Sequence, residues 1–148
     1  MKIHFVCTGN TFRSRIAEAY LRSKNIDGVH VSSSGTEADK NLNGPVCSYT
    51  VTILKNHNLD QYLSKTWRLT KKSVLETQDL VIFLNKYNKD YSLSKLNSKI
   101  PRYETWDVDD IPAAILRDGD MLAINQKAEQ DYYQIKELVD VLVESRLL

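Results

Sequence analysis

What this chain lacks narrows its chemistry. It has two cysteines and three histidines; Cys7 and Cys47 lie far apart and the histidines are scattered, so there is neither a disulfide framework nor a zinc-ligand spacing, and no metal is expected. A single Cys7–Cys47 bridge is compatible with the sequence. The chain also lacks a charge surplus: a formal net charge of +1 gives no global attraction to nucleic acid or to an anionic membrane, so any charged substrate must be drawn in locally. No apolar run approaches the roughly 20 residues of a membrane-spanning helix. Met1 to Val6 carries one positive charge and too few apolar residues for a signal peptide. Repeats and low-complexity tracts are absent. These absences lead to the expectation of a cytoplasmic protein with no nucleic-acid and no membrane partner. With 148 residues, 42% of them hydrophobic, residues 1–148 are expected to form one domain with its own core.

What is present is concentrated in Val6-Cys7-Thr8-Gly9-Asn10-Thr11-Phe12-Arg13-Ser14-Arg15. A short β-prone run, Lys2 to Val6, precedes it, and Ile16 to Leu21 reads as a helix. A glycine-containing loop between strand and helix aims several backbone N–H groups and the positive end of a helix dipole at one point, which suits a phosphate dianion. The same field favours the thiolate form of Cys7, making it a nucleophile without a separate base. Arg13 offers a planar fork that can hold two phosphate oxygens, and Ser14 can donate its hydroxyl proton to the sulfur. The plainer reading of Cys7 is a buried core residue at a strand end; the company of Gly9, Asn10, Arg13 and Ser14 favours chemistry.

Further along, Val29 to Ser33 reads as a second strand, and the polar, turn-rich Glu37 to Pro45 as a mobile loop suited to substrate recognition. Ser48 is expected to cap a helix ending near His57, with Val51, Leu54 and Tyr49 on its apolar side. Tyr49 is also a candidate wall of the site. Thr70 reads as the N-cap of a helix from Lys71 to Glu76. Asp79 to Leu84 is an uninterrupted apolar run bounded by polar residues, the pattern of a strand buried on both faces of a parallel sheet next to the first strand. Ile100 is assigned to a short last strand. The acidic Tyr103 to Pro112 segment would then follow that strand's carboxyl end, where ligand crevices of open α/β sheets form. From near Asp120 to Glu144, Ala128, Tyr132, Ile135, Val139 and Leu142 recur at helical spacing. The expected architecture is an α/β three-layer domain: a central four-stranded parallel sheet flanked by helices, with the phosphate loop after the first strand.

Cys7 to Ser14 resembles the Cys-(x)5-Arg-Ser signature of the low-molecular-weight protein tyrosine phosphatases, with Gly9 and Asn10 at the second and third intervening positions. Ser33 to Thr36 resembles that family's Ser-Ala-Gly-Thr element, whose serine hydrogen-bonds the loop asparagine, here Asn10. The resemblance implies Cys7, Arg13 and Asp110 as catalytic residues, phosphate binding by Thr8, Gly9, Asn10, Thr11, Phe12, Arg13 and Ser14, and a substrate wall drawn from Tyr49 and Trp106. It implies no cofactor. It implies hydrolysis of a phosphorylated protein or a small phosphomonoester through a phosphocysteine, with inorganic phosphate as product.

Four departures modify the picture. Ile111 stands where the family has the proline of its Asp-Pro pair, and Pro112 comes one residue late, which leaves Asp109 as a rival to Asp110. Phe12 replaces a cysteine that guards the nucleophile in many relatives, so oxidation sensitivity should rise. Arg15 replaces a proline and is expected to add positive charge near the site, favouring an acidic substrate. Thr11 resembles the protein-arginine phosphatase branch, making phosphoarginine the alternative substrate. Arsenate reductases share the loop but need two further cysteines, which residues 85–98 do not contain. A non-hydrolytic phosphoryl carrier or phosphate-binding module is the reading from another class.

Overall fold

The computed structural model describes residues 1–148. Four parallel strands, β1 (Lys2–Cys7), β2 (His30–Gly35), β3 (Leu80–Phe83) and β4 (Tyr103–Thr105), form one sheet in the order β2-β1-β3-β4. β1 pairs with β2 from Lys2↔His30 to Cys7↔Gly35 and with β3 from Ile3↔Leu80 to Val6↔Phe83. Every residue of β3 is buried, as its unbroken apolar run requires of an interior parallel strand.

The two faces of the sheet are covered unequally. Ile3, Phe5 and Cys7 enter a core of 25 buried residues, shared with α1 (Arg13–Ser23), α2 (Ser48–Asn56) and α6 (Met121–Leu142). The stripe Ala128, Tyr132, Ile135, Val139 and Leu142 is buried against that face; each fully buried Ile, Val or Leu contributes about 1.5–3 kcal/mol. Asp120 caps α6 by accepting from the Leu122 and Ala123 amides. On the opposite face only Val6, Leu75, Val81 and Phe83 cluster, with Ile100 beside them. The short helices α3 (Lys72–Leu75) and α4 (Lys86–Asp90) flank β3 in sequence.

Several local expectations shift. The last strand begins at Tyr103, not at Ile100: Pro101 has no N–H to give to a ladder, so pairing starts beyond it. The helix N-caps move by one residue, to Cys47 for α2 and Lys71 for α3. Thr70 instead turns its hydroxyl to Ser34 Oγ, 2.6 Å away. In α2 the buried positions are Thr50, Ile53 and Leu54, while Val51 is half-buried. An unforeseen helix, α5 (Ala113–Asp118), starts after Pro112 and ends at Gly119, whose φ of 66° is left-handed.

This topology places the site. β1 has β2 on one side and β3 on the other, so the strand order reverses at the carboxyl end of β1, and an open α/β sheet has its crevice at such a point. Cys7 is the last residue of β1.

Candidate active site

The loop from residue 8 to residue 12 has nearly all its carbonyls pulled away from its centre. Cys7 O accepts from Thr36 N at 2.9 Å, Thr8 O from Glu37 N at 2.9 Å, Thr11 O from Cys47 N at 3.2 Å, and Phe12 O from Ile16 N at 2.9 Å. Asn10 O accepts from Arg15 Nη1 at 3.0 Å. In a planar trans peptide the next residue's N–H points opposite the carbonyl. Turning these carbonyls outward therefore turns the following amides inward, and the N–H groups of Thr8, Gly9, Thr11 and Phe12 have no partner within the chain. Helix α1 starts directly afterwards with no side-chain cap, adding its free N–H groups and the positive end of its dipole. The result is a concave nest of donors suited to a tetrahedral oxyanion.

Cys7 Sγ lies at the floor of this nest, and its surroundings can be accounted for bond by bond. Asn10 adopts a left-handed φ of 55°, which brings its own N–H to 3.2 Å from the sulfur. Ser14 Oγ is 2.9 Å from Sγ. The Asn10 side-chain amide donates to Ser14 Oγ at 2.6 Å and to Ser33 Oγ at 2.9 Å, while its oxygen accepts from Arg68 N at 2.9 Å. Because Ser14 already accepts from Asn10, its own proton is free for the sulfur. Ser33 Oγ donates to Glu18 Oε2 at 2.5 Å, and Arg22 pairs with the other Glu18 oxygen at 2.9 Å. This chain of buried groups sets the direction of the donor facing Cys7.

Arg13 reaches the same point from the first turn of α1. It is 3% exposed; Nη1 donates to Val108 O at 2.9 Å and Nη2 lies 3.6 Å from Asp110 Oδ2. It thus ties the loop of residues 8–12 to the acidic segment, which is held from behind by Val108 N to Leu84 O at 2.9 Å and Gln134 Nε2 to Asp107 O at 2.7 Å. The Asp110 side chain is 57% exposed and open to the cleft. Asp109 is exposed and does not line it.

Above the sulfur is a cleft of about 220 Å³. Residues 7–13 form its floor, and Tyr49, Leu116 and Asp110 one rim. Glu37, Lys40, Asn41 and Asn43 form the other, from the segment expected to recognise substrate. Tyr49 packs edge-on against Phe12 with ring centroids 5.1 Å apart. Thr11 lines the cleft, with its hydroxyl 3.3 Å from Cys47 Sγ. Burial pushes the Cys47 thiol up from its ordinary value, so it remains the donor in that contact. Both cysteines are free thiols, so the Cys7–Cys47 bridge is not formed.

The structure separates some residues that the sequence grouped. Trp106 is only 8% exposed and packs on Phe5, centroids 5.7 Å apart, beneath the site and not along the cleft. Strand β4 ends one residue earlier, and the alternation of the pleat turns Trp106 into the core. Ser14 is fully buried behind the sulfur and does not line the cleft. Arg15 is 1% exposed and turned inward, so it adds no charge to the substrate-facing surface. Two contributors were missed. Leu116 comes from the unforeseen α5, and Asn88, buried in α4, donates to Thr8 Oγ1 at 3.1 Å and Thr36 Oγ1 at 3.3 Å. The Asn85-x-x-Asn88 spacing, in which Asn85 Oδ1 caps α4 through Asn88 N at 3.0 Å, was the available signal. Nowhere do three His, Cys, Asp or Glu side chains converge in a way that could hold a metal ion.

A cysteine on the floor of an amide nest, with a buried arginine and a carboxylate above it, sets a nucleophile beside a pocket of donors suited to a tetrahedral oxyanion. Residues 2–140 match the family described as low molecular weight phosphotyrosine protein phosphatase, and the chain belongs to that family. It is 34% identical over 104 residues to a low molecular weight protein-tyrosine-phosphatase of Staphylococcus haemolyticus, covering 66% of this chain and 63% of that protein. It is 39% identical over 59 residues to a protein-arginine-phosphatase of Geobacillus stearothermophilus, covering 40% of this chain and 38% of that protein. The matched segments therefore span less than two thirds of either relative's length. The solution structure of a low molecular weight protein tyrosine phosphatase from Bacillus subtilis superposes with a TM-score of 0.73 at 25% identity, covering 99% of each chain.

Proposed function

We propose that residues 1–148 act as one phosphatase domain, a low-molecular-weight protein tyrosine phosphatase that hydrolyses phosphomonoesters through a phosphocysteine. The observation that carries this reading is the Cys7 sulfur beneath four unpartnered loop amides, with Ser14 and the Asn10 N–H directed at it. Cys7 Sγ attacks phosphorus in line as the bond to the leaving oxygen breaks. The loop amides and Arg13 hold the three equatorial oxygens, and Asp110 gives its proton to the departing oxygen. Water then attacks the phosphocysteine, Asp110 takes its proton, the S–P bond breaks, and inorganic phosphate leaves. The Arg13 guanidinium is held toward the cleft by Val108 O at 2.9 Å and lies 3.6 Å from Asp110 Oδ2. The substrate is a phosphorylated protein or a small phosphomonoester, and the proposed location is the cytoplasm; no helix is long and apolar enough to cross a membrane.

A second reading, protein-arginine phosphatase, is favoured by one residue: Thr11, a hydroxyl-bearing residue, lines the cleft, where an aliphatic side chain would offer the nitrogen of a phosphoguanidinium no polar partner. The relative from Geobacillus stearothermophilus carries that activity in its name. Steady-state rates on phosphotyrosine and phosphoarginine peptides separate the two. The reading as a whole is tested by Cys7→Ser, expected to abolish turnover while orthovanadate still binds, since the nest and Arg13 remain. Wild-type turnover in that variant overturns the mechanism.

A further inference from the structure

Arg15 is the largest side chain in the protein to be fully buried, and the substrate-facing charge expected of it is absent. Its guanidinium is spent on backbone carbonyls from three separate segments. Nη1 donates to Asn10 O at 3.0 Å and to Pro45 O at 2.9 Å, and Nη2 donates to Ser64 O. Nε has no partner. Burial works against the charge on this group, and the nearby Glu18 and Cys7 work for it. None of the three carbonyls belongs to a strand ladder or an α-helix; Asn10 is buried, Ser64 half-buried and Pro45 exposed, so the Asn10 carbonyl is the one that would be left buried without a donor if Arg15 were removed.

The consequence for the nest follows from peptide geometry. Asn10 is the loop residue in the left-handed region, and the Asn10–Thr11 peptide is the one loop peptide whose carbonyl is held by a side chain alone. Gripping that oxygen from behind fixes the plane, and the Thr11 N–H on the other edge then faces the cleft. The same guanidinium fastens the segments around Pro45 and Ser64 against the loop; the first leads to Cys47 and Tyr49 at the rim, the second to Arg68, whose amide holds the Asn10 side chain.

We propose that Arg15 is a positioning residue of the phosphate loop: by holding the carbonyls of Asn10, Pro45 and Ser64 it orients the Thr11 amide toward the bound oxyanion and locks two recognition segments to the loop. A proline, which the resembling family usually has at this position, lacks the donors to do this. The proposal rests on the reading of the loop as a phosphate site.

The test compares wild type, Arg15→Met and Arg15→Lys by orthovanadate inhibition, by kcat and KM on an aryl phosphate, and by the ¹⁵N-resolved Thr11 amide resonance during titration with inorganic phosphate. In the wild type the Thr11 resonance should move downfield as phosphate binds. Arg15→Met should weaken vanadate binding and lower kcat by roughly 10–100-fold, at most the lower edge of the loss of about 10²–10³-fold that follows outright removal of one oxyanion donor, and its Thr11 resonance should no longer follow phosphate. Arg15→Lys keeps the charge but cannot span three carbonyls, and should recover less than a third of the loss; it carries the test if the methionine variant does not fold. Folded variants that bind vanadate, turn over and shift Thr11 like wild type overturn the proposal and leave Arg15 a packing residue. A wild-type chain that binds neither vanadate nor phosphate overturns the phosphate-site reading itself, and the positioning role falls with it.

Discussion

Replacing Gly35 by alanine should damage the loop of residues 8–12, and with it the proposed activity, more than the fold. Gly35 ends β2 beside Cys7, and its φ lies outside the left-handed range, so its requirement is space and not dihedral freedom. A Cβ built there would lie 2.5 Å from Thr8 O, 2.8 Å from Asn10 N and 2.9 Å from Gly9 C. All three are backbone atoms of the nest, so no side chain can swing aside. Thr8 O is already held by Glu37 N at 2.9 Å and Asn10 N by the Cys7 sulfur at 3.2 Å, which leaves the loop no slack. Since carbon contacts are comfortable only near 3.5 Å, the loop must retreat by about 0.5–1 Å. Overpacking of this kind costs roughly 1–3 kcal/mol, or about 3–12 °C in Tm. A displacement of that size at the reacting centre costs about 10²-fold in rate. The assay is kcat/KM on an aryl phosphate alongside thermal unfolding. Gly28→Ala is the control: at φ 74° with nothing within 4 Å it should lose about 1–2 kcal/mol through left-handed strain and keep kcat/KM within twofold. A Gly35→Ala enzyme within twofold of wild type, or one no worse than Gly28→Ala, refutes the reasoning.

Three further expectations follow from the site and its surroundings. Asp110→Asn should cost about 10²–10⁴-fold on phosphotyrosine and much less on an aryl phosphate with a weakly basic leaving group, whereas Asp109→Asn should show no such dependence; the reverse pattern would transfer the acid role to Asp109. After prolonged peroxide exposure Cys7 should resist recovery by dithiothreitol, because Phe12 offers no thiol and Cys47 is buried with its Sγ on Thr11 Oγ1; full recovery would show that Cys47 moves to protect Cys7 as a disulfide. Buried between Ser32 Oγ at 2.6 Å and Ser34 Oγ at 2.7 Å, His4 has its pKa lowered to about 3 by desolvation. The unfolded chain, titrating near 6.5, binds the extra proton, so stability should fall as pH drops through 6.5 towards 3, by about 2 kcal/mol between pH 7 and pH 5. His4→Gln, which can still bond both serines, should flatten that slope; an unchanged slope would assign it to other groups.

The parts of the fold that were legible in the sequence are those where one local rule acts alone. The unbroken run at Leu80 to Phe83 announced a buried parallel strand, and the spacing from Ala128 to Leu142 announced the buried stripe of α6. The errors fall where two rules compete. Ile100 looked like a strand because it is apolar, yet Pro101 removes the donor that pairing needs. The acidic Trp106 to Pro112 segment hid the start of α5, although Pro112 and Gly119 bracket it as helix ends often are. Missing α5 meant missing Leu116, the apolar rim of the cleft.

The site divides along the same line, and Arg15 shows where it runs. That Cys7, Gly9, Asn10 and Arg13 gather around one cleft was legible because residue type at fixed spacing within one loop carries that geometry. The role of Arg15 was not, because it depends on carbonyls at Pro45 and Ser64, which are distant in sequence and carry no signature in their residue types. A charge two residues past the loop arginine invites an electrostatic reading directed at solvent. Backbone accounting reverses it: segments that cross a buried loop without forming a ladder leave acceptors unpaired, and a long, permanently protonated side chain with five donors is the economical way to satisfy several at once. Trp106 errs in the opposite sense, an aromatic taken for a wall because it neighbours the acidic cluster, when the pleat turns it into the core against Phe5. In both cases the side chain's direction was set by which backbone groups and which sheet face lay beneath it. That is information held by the tertiary pairing and not by the segment itself.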